Sequence, residues 1–413
     1  MSKIDELLLK YCPNGVVFKP LWSLVYFDKR FNGVDKKKQP KVLAFEHVSA
    51  EKLKSLNSGG NVRLLSTGKF DGFTSVDLAG ESLNEGEVIS IPSGGAANIK
   101  YFDGLFVDGG NILCSTRDKE VVLLKYIYHF LLKNNDFIQS CFRGGSVQHP
   151  EMAKIIELLI PVPPLLIQKE IVNVLDNYSF NLITLKERLN NEILTRKKQF
   201  EYYRDELLSF DGSVTIKTLG ELSCIVRGAS PRPINEFITD DPHGVNWIKI
   251  GDVQPGAKYI TSTKEKITEE GAKHSRFVKK GDFILSNSMS FGRPYILNID
   301  GCIHDGWLSI SNFQAHFVSD FLYHLLSSTK VQRTMKQKAS FGGAVQNLNA
   351  DIVRSLELPV PPLEVQKRIV VLLDKLDLLT TNILTALSKE VEARQKQHDY
   401  YREQLLTFKE LKN

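Results

Sequence analysis

Between Ile171 and Phe210 the apolar positions fall at alternating steps of four and three: Ile171, Leu175, Tyr178, Leu182, Leu185 and Leu189. This spacing is the seam of a coiled coil. One extra step of four, to Ile193, resembles a stutter, which locally unwinds a supercoil. The seam resumes through Arg196, Phe200, Tyr203 and Leu207 to Phe210, and Asp211-Gly212 is a stop signal. Ile369, Leu373, Leu376, Thr380, Ile383, Leu387, Val391, Arg394, His398, Tyr401, Leu405 and Phe408 keep the same phase, stutter included. The outer faces are polar, so neither stretch reads as a membrane span. At ~1.5 Å per residue each helix is about 65 Å long. Each carries a stripe it cannot bury alone, and the economical solution is an antiparallel pair acting as a spacer.

The two stretches are copies of one another. Pro161-Val162-Pro163-Pro164-Leu165, Gln168-Lys169, Ile171-Val172 and Leu175-Asp176 return as Pro359-Val360-Pro361-Pro362-Leu363, Gln366-Lys367, Ile369-Val370 and Leu373-Asp374, an offset of 198. The far ends match too, with Tyr202-Tyr203-Arg204 and Leu207-Leu208 against Tyr400-Tyr401-Arg402 and Leu405-Leu406. Prolines suit a helix's first turn, where the N–H has no intrahelical partner.

The segments before the helices echo one another more faintly. Val16–Leu24 parallels Val214–Leu222, and Gly144-Gly145-Ser146-Val147-Gln148 parallels Gly342-Gly343-Ala344-Val345-Gln346. The chain therefore reads as a tandem duplication with boundaries at 1–160, 161–212, 213–358 and 359–413. Asp5-Glu6-Leu7-Leu8 also resembles Asp205-Glu206-Leu207-Leu208, as if a duplicated ring had been opened at one joint, with both termini close together. Short runs bounded by Gly, Asn, Asp and Ser predict strands at Val42–Phe45, Val88–Ile91, Gly104–Val107, Trp247–Ile250, Phe283–Leu285 and Trp307–Ile310. One helix per globular segment is expected, at Val121–Asn134 and Val318–Lys338. The fold class is α+β: two β-rich, mixed α/β globules separated by two long antiparallel coiled-coil helices.

Composition narrows the function. With 413 residues, 42% hydrophobic and 24% charged, the chain is an ordinary soluble protein of two to four domains. A net charge of +5 means that nucleic-acid binding would rest on local patches. Five scattered cysteines without a C-x-x-C pair, and an acidic start without a signal peptide, suggest a reduced cytoplasmic setting. No phosphate-binding P-loop, dinucleotide fingerprint, amino-methyltransferase motif or metal-ligand histidine spacing occurs. A nuclease site of scattered Asp, Glu and Lys leaves little signature, so this lowers the standing of an enzyme without removing it.

The duplicated Pro-x-Pro-Pro-Leu-x-x-Gln-Lys-x-Ile-Val opening, with Gly228-Ala229-Ser230-Pro231, Trp247-Ile248-Lys249-Ile250-Gly251-Asp252 and the Gly-Gly-x-Val-Gln elements, resembles the specificity subunit of type I restriction–modification systems. The first globule departs from that pattern, lacking Gly-x-Ser-Pro near Lys29–Lys38. The resemblance implies a non-catalytic chain with two target-recognition domains, each reading half of an asymmetric, interrupted double-stranded DNA site. The helices would set the gap and dock two methyltransferase subunits that methylate adenine. S-adenosylmethionine would sit on those partners, and ATP and magnesium on further motor–nuclease restriction subunits. Two other readings stay open: a self-contained nuclease or methyltransferase, and a coiled-coil scaffold.

Candidate DNA contacts are loop residues that offer basic or amide groups beside glycines, which let the backbone approach phosphates while Arg and Asn address base edges. In the first globule these are Lys36, Lys37, Lys69, Ser93, Arg117, Arg143 and Gln148; a solvated loop is the alternative for each. In the second they are Arg227, Ser230, Arg232, Asn287, Ser288, Arg293 and Gln346, with Arg333 and Lys336 placed to track phosphates. Gln148 and Gln346 read equally as turn caps. Spacer and partner positions are Gln168, Leu175, Leu189 and Tyr203, with Gln366, Leu373, Leu387 and Tyr401. Arg196 and Arg394 are either seam residues whose charge reaches solvent or register locks.

Overall fold

The computed structural model describes residues 3–253, 256–287, 291–340 and 348–411. The two seams are continuous helices of 43 residues each, Leu165–Leu207 and Leu363–Leu405. Pro164 and Pro362 stand immediately before them, and each carbonyl accepts the first turn's N–H groups: Ile167 and Gln168 on one, Val365 and Gln366 on the other.

The chain divides into two compact units, and the division falls inside the helices: residues 1–188 with 388–413, and residues 189–387. Each unit thus holds a globule, the first half of the helix that follows it, and the last half of the other helix.

The first unit is built on a six-stranded sheet, in the order Val25–Phe27, Ile112–Thr116, Asn84–Ile91, Lys100–Asp108, Val62–Leu65, Asp71–Thr74. Val62–Leu65 runs parallel to Lys100–Asp108, and the other neighbours are antiparallel. A separate two-stranded latch pairs Val17–Pro20 with Leu159–Val162, just upstream of the helix. The core joins the sheet, the helix Leu124–Lys133 and the start of the long helix, where Ile167, Ile171 and Leu175 are fully buried. Against Leu165–Arg188 the segment from Ser388 runs antiparallel. Tyr401 stacks on Tyr178 at 5.1 Å, His398 bonds Ser179 at 3.0 Å, and Lys186 donates to Gln395 at 2.9 Å. Beyond the helix end, Val16 takes its N–H bond to the Lys409 carbonyl and Leu411 donates to Val16.

The second unit keeps the latch, Ile216–Thr218 on Glu357–Pro359, but not the sheet. It has two five-stranded sheets. One runs Cys224–Arg227, Trp307–Ser311, Phe283–Ser286, Pro294–Leu297, Tyr259–Ile260; the other runs Ile238–Thr239, Glu265–Ile267, Val245–Ile248, Gly301–Ile303, Arg276–Val278. Its core gathers Leu219, Phe283, Phe321, Ile369 and Leu373.

Three expectations are corrected. Val42–Phe45 is not a strand; Val42 makes one isolated bridge to Phe27. The helix expected at Val121–Asn134 is Leu124–Lys133, followed by a further short helix Asn135–Ser140, whereas the one expected at Val318–Lys338 is broken into Ser319–Ser327 then Thr329–Ser340. At that break Ser328 turns extended (ψ 150°), its hydroxyl and N–H both going to the Leu325 carbonyl, and its own carbonyl then starts the next helix at Gln332. The seam is also imperfect: Tyr203 is exposed while Arg204 is buried, and Ile383 and Arg394 in the second helix are exposed. The equivalent Tyr401 stacks on Tyr178, but Leu376 takes the corresponding place in the second helix, so Tyr203 has no ring there to meet.

Candidate nucleic-acid interface

The shared junction comes first, because it aims each globule along its helix. Gln168 is fully buried; its amide oxygen accepts the Leu123 N–H (2.9 Å), and its NH2 donates to the Val121 (3.0 Å) and Pro163 (2.7 Å) carbonyls. Gln366 repeats this, accepting from Val318 (2.8 Å) and donating to His316 and Pro361 (both 2.8 Å). A buried amide with three partners is a strong local constraint. Both glutamines therefore bind their own globule rather than face a partner. Leu175 and Leu373 are fully buried, and Leu189 and Leu387 half-buried. Arg196 and Arg394 are both held on their own helices: Arg196 by Glu192 (2.8 Å) and Gln199 (3.0 Å), Arg394 by Glu390 (2.8 Å) and Gln397 (3.0 Å). They are surface pairs, not locks.

In the first unit three loops converge. Asn98 donates from its amide to the Gly68 carbonyl (2.5 Å), and Lys100 donates to the Ser66 carbonyl (2.9 Å), tying the 66–70 loop to the 93–98 loop. That loop is tied in turn to the hairpin Phe142–Arg143/His149–Pro150, through Gly95 N–H on the Gln148 carbonyl (2.8 Å) and the His149 ring on the Ser93 carbonyl (2.6 Å). Gly144, at φ +140°, makes the hairpin turn possible, since a Cβ there would sit 2.4 Å from the Val147 carbonyl oxygen. Lys69, Ser93, Arg143 and Gln148 are thereby brought together, with Lys69, Arg143 and Gln148 exposed.

Lys36, Lys37 and Arg117 belong to a different place. The guanidinium of Arg117 donates to the Val25 (3.0 Å) and Lys38 (2.9 Å) carbonyls and lies 4.7 Å over the Tyr26 ring. Its job is to fasten the Lys29–Lys41 loop onto strand Val25–Phe27; burial lowers its pKa. Lys36 and Lys37 remain exposed on that loop.

In the second unit the candidates gather around a residue that sequence reasoning missed, Asp305. Its backbone carbonyl accepts from Arg227 Nε and Asn287 Nδ2 (both 3.0 Å), and its carboxylate accepts from the Ser230 hydroxyl (2.8 Å). Arg232 stands 3.9 Å away, largely exposed. The Ser230 bond holds the Asp305 carboxyl below the usual carboxylate range. Gly228 is obligatory here, because a Cβ would meet the His304 carbonyl oxygen at 2.1 Å. Gln332 then anchors the helix Thr329–Ser340 by donating to the Gly292 carbonyl (2.9 Å), which brings Arg333 and Lys336 beside the loop that carries Arg293. Asn287 is buried; Arg227, Arg293, Arg333 and Lys336 are exposed. Ser288 and Gln346 lie outside the described residues. Asp305 was findable only as an Asp-Gly turn after a strand, a signal that many turns share.

Chemically, the two clusters offer cations, amides and open backbone on loops, in the residue types that address phosphates and base edges. Among the described residues no group of three or more His, Cys, Asp or Glu could hold a metal ion, and no helix is long and apolar enough to cross a membrane.

Comparison with known proteins completes the picture. The chain is 32% identical over 311 residues to the type I restriction enzyme EcoR124I/EcoR124II specificity subunit of Escherichia coli, covering 70% of this chain and 72% of that one. It is 29% identical over 338 residues to a putative type I restriction enzyme specificity subunit of Haemophilus influenzae, covering 79% and 84%. In fold it resembles a chain from a structure concerned with assembly and conformational transition of the type I R-M system, with TM-score 0.70 and 16% identity, covering 95% of this chain and 98% of that one. The HsdS subunit from Thermoanaerobacter tengcongensis is also similar, with TM-score 0.51 and 15% identity, covering 96% and 97%. The model of the type I restriction modification DNA specificity domain matches twice, at residues 37–195 and 213–393, and the chain belongs to that family of non-catalytic specificity subunits.

Proposed function

We propose that this chain reads DNA for a type I restriction–modification complex, each unit reading one half of an interrupted, asymmetric site. The observation that carries the reading is the contrast between a repeated junction, Gln168 and Gln366, and the unlike sheets and loops that it aims. Base-reading loops must differ where half-sites differ, while the part that spaces them must not. Lys69, Ser93, Arg143 and Gln148 face the first half-site; Arg227, Arg232, Arg293, Arg333 and Lys336 face the second, with Asp305, Ser230 and Asn287 holding the loops. Lys36 and Lys37 meet flanking phosphates.

Within this reading the long helices fix the gap between half-sites and dock two methyltransferase subunits, which bind S-adenosylmethionine and methylate adenine. Restriction subunits, where present, bring ATP and magnesium, and the complex works in the cytoplasm. Neither a self-contained enzyme nor a bare scaffold accounts for the family membership.

The test is single-molecule mapping of methylated adenines in cells with and without this chain, its methyltransferase partner present in both. One bipartite motif that disappears with the chain is the expected result; an unchanged methylome overturns the proposal. Removing whole turns from both helices should change the spacer length and leave both half-sites intact.

A further inference from the structure

One loop is repeated where the sheets around it are not. Gly144-Gly145-Ser146-Val147-Gln148 returns as Gly342-Gly343-Ala344-Val345-Gln346 at the same offset of 198 as the helices, although the sheets of the two units differ. Loops that read unlike half-sites should diverge. A loop that repeats across unlike readers serves something common to both half-sites.

In the first unit the turn accounts for the glycines but not for Val147 and Gln148. The hairpin is held by the Gly95 N–H on the Gln148 carbonyl, the His149 ring on the Ser93 carbonyl, and the Glu151 N–H on the Cys141 carbonyl (2.9 Å). None of these uses the Val147 or Gln148 side chain. Val147 is 53% exposed, and among the described residues the exposed Gln148 amide makes no hydrogen bond. Gln148 is therefore not a turn cap. A Cβ on Gly145 would meet nothing within 4 Å, so the tip is open to a ligand.

Phosphates are common to both half-sites, but cations and N–H donors meet them. The cation beside this turn, Arg143, has Phe341 at its place in the second copy, whereas the valine and the glutamine are both kept. What is repeated is an apolar group beside an amide, the pair of groups that addresses a base edge. Under the proposed function, two methyltransferase subunits and two half-sites give each half-site one adenine to be methylated, opposite a thymine. A methyltransferase turns its target base out of the stack, and the thymine stays behind.

We propose that the hairpin tip of the first unit recognises this thymine, Gln148 through its hydrogen-bonding edge and Val147 through its methyl group. The assignment rests on the proposed function and deepens it. A glutamine amide sets a donor beside an acceptor, and thymine's O4 and N3–H are an acceptor beside a donor. The Gln148 amide thus supplies the edge that the departed adenine took away, while Val147 gives the methyl an apolar contact.

The probes are duplexes carrying the mapped methylation site, bound by the chain together with its methyltransferase partner. The target adenine of one half-site at a time is replaced by an abasic position, so that opening the pair does not enter the comparison. Opposite it stands thymine, deoxyuridine, which lacks the methyl, or difluorotoluene, which keeps shape and methyl but not O4 and N3–H. In one half-site deoxyuridine should cost the natural chain about fourfold in affinity, the yield of one methyl group, and cost Val147→Ala nothing. Difluorotoluene there should cost the natural chain about tenfold and Gln148→Ala nothing. In the other half-site both variants should respond as the natural chain does, which also shows them folded and assembled. A natural complex that prefers the mapped duplex to a scrambled one, yet responds to the analogues as both variants do in both half-sites, overturns the assignment alone. One without that preference overturns it together with the reading on which it rests.

Discussion

The two units solve one problem identically and another differently. Where each globule meets its helix, the same glutamine makes the same three hydrogen bonds to equivalent loops. Beyond that junction, the first unit is built on a six-stranded sheet and the second on two five-stranded sheets. Copies of one ancestral module keep what orients them and change what they present. This makes the junction a part that tolerates little and the loops a part that tolerates much.

The largest expected effect breaks one junction and spares the other. Replacing Gln168 by Leu strips this partner from the buried Pro163 carbonyl and from the part-buried Leu123 N–H and Val121 carbonyl, a loss of about 3 kcal/mol at the lower end of ~1–3 kcal/mol for each group. The three tryptophans report separately, Trp22 on the first unit, Trp247 and Trp307 on the second. In denaturant titration of Gln168→Leu, the Trp22-weighted transition should move and the transition of a Trp22→Phe background should not. Gln366→Leu should do the reverse. Equal movement of both would show that the comparison between two separable units is wrong.

The next effect sharpens the contrast between readers. Arg143→Ala with Gln148→Ala should weaken binding to the natural duplex by about tenfold and flatten discrimination at the first half-site alone, since a good base contact is worth ~1–3 kcal/mol. Asp305→Ala should do this at the second half-site alone by releasing Ser230 and Arg232 from the carboxylate, while Arg227 and Asn287 keep the backbone carbonyl. Competition with duplexes altered in one half-site separates the two; a change at both half-sites from either variant would count against paired readers.

What could be read from the chain follows the same division. The long helices were legible because a seam repeats every few residues and the whole pattern recurs at a fixed offset. Even Gln168 stood out as repeated, although its burial did not show, because its partners Val121 and Leu123 lie more than forty positions upstream. The sheets were legible only as short apolar runs. Strand order depends on pairings such as Val62–Leu65 with Lys100–Asp108, which no local pattern encodes, and Val42–Phe45 has strand-like residues without a strand to pair with. The loop clusters were least legible. Arg117 looks like any loop arginine until its guanidinium is found on Val25 and Lys38, and Asp305 gains its meaning from Ser230, 75 positions away.

The smallest effect turns on two histidines that titrate in opposite directions. In the first unit His47 bridges two buried aspartates, Asp108 at 2.7 Å and Asp28 at 2.9 Å. The Asp108 bond, then the Asp28 bond, push its pKa up to about 9, against burial and Lys29. In the second unit His324 is buried, and Asp374 at 3.9 Å is beyond hydrogen-bond reach. Burial, with Lys258 and Arg204 adding to it and Asp320 opposing, pushes its pKa down to about 4. A raised histidine stabilises while it is charged: the His47 contribution is fully present below about pH 6.5 and is lost as pH rises through about 9. A depressed histidine stabilises while neutral: the His324 contribution is present above about pH 6.5 and is lost as pH falls through about 4. His129, equivalent to His324, is displaced the same way by burial, but its 3.0 Å bond to Asp176 opposes the shift, so acid should strain the first unit less. Melting of the natural chain, His47→Gln and His324→Gln from pH 4 to 10 reads both limbs. The His47 variant should lose its disadvantage only on the alkaline side, and the His324 variant should gain relative to the natural chain only on the acid side. The same pH dependence in both variants would mean that the two environments, so unlike in their carboxylates, do not set the titration.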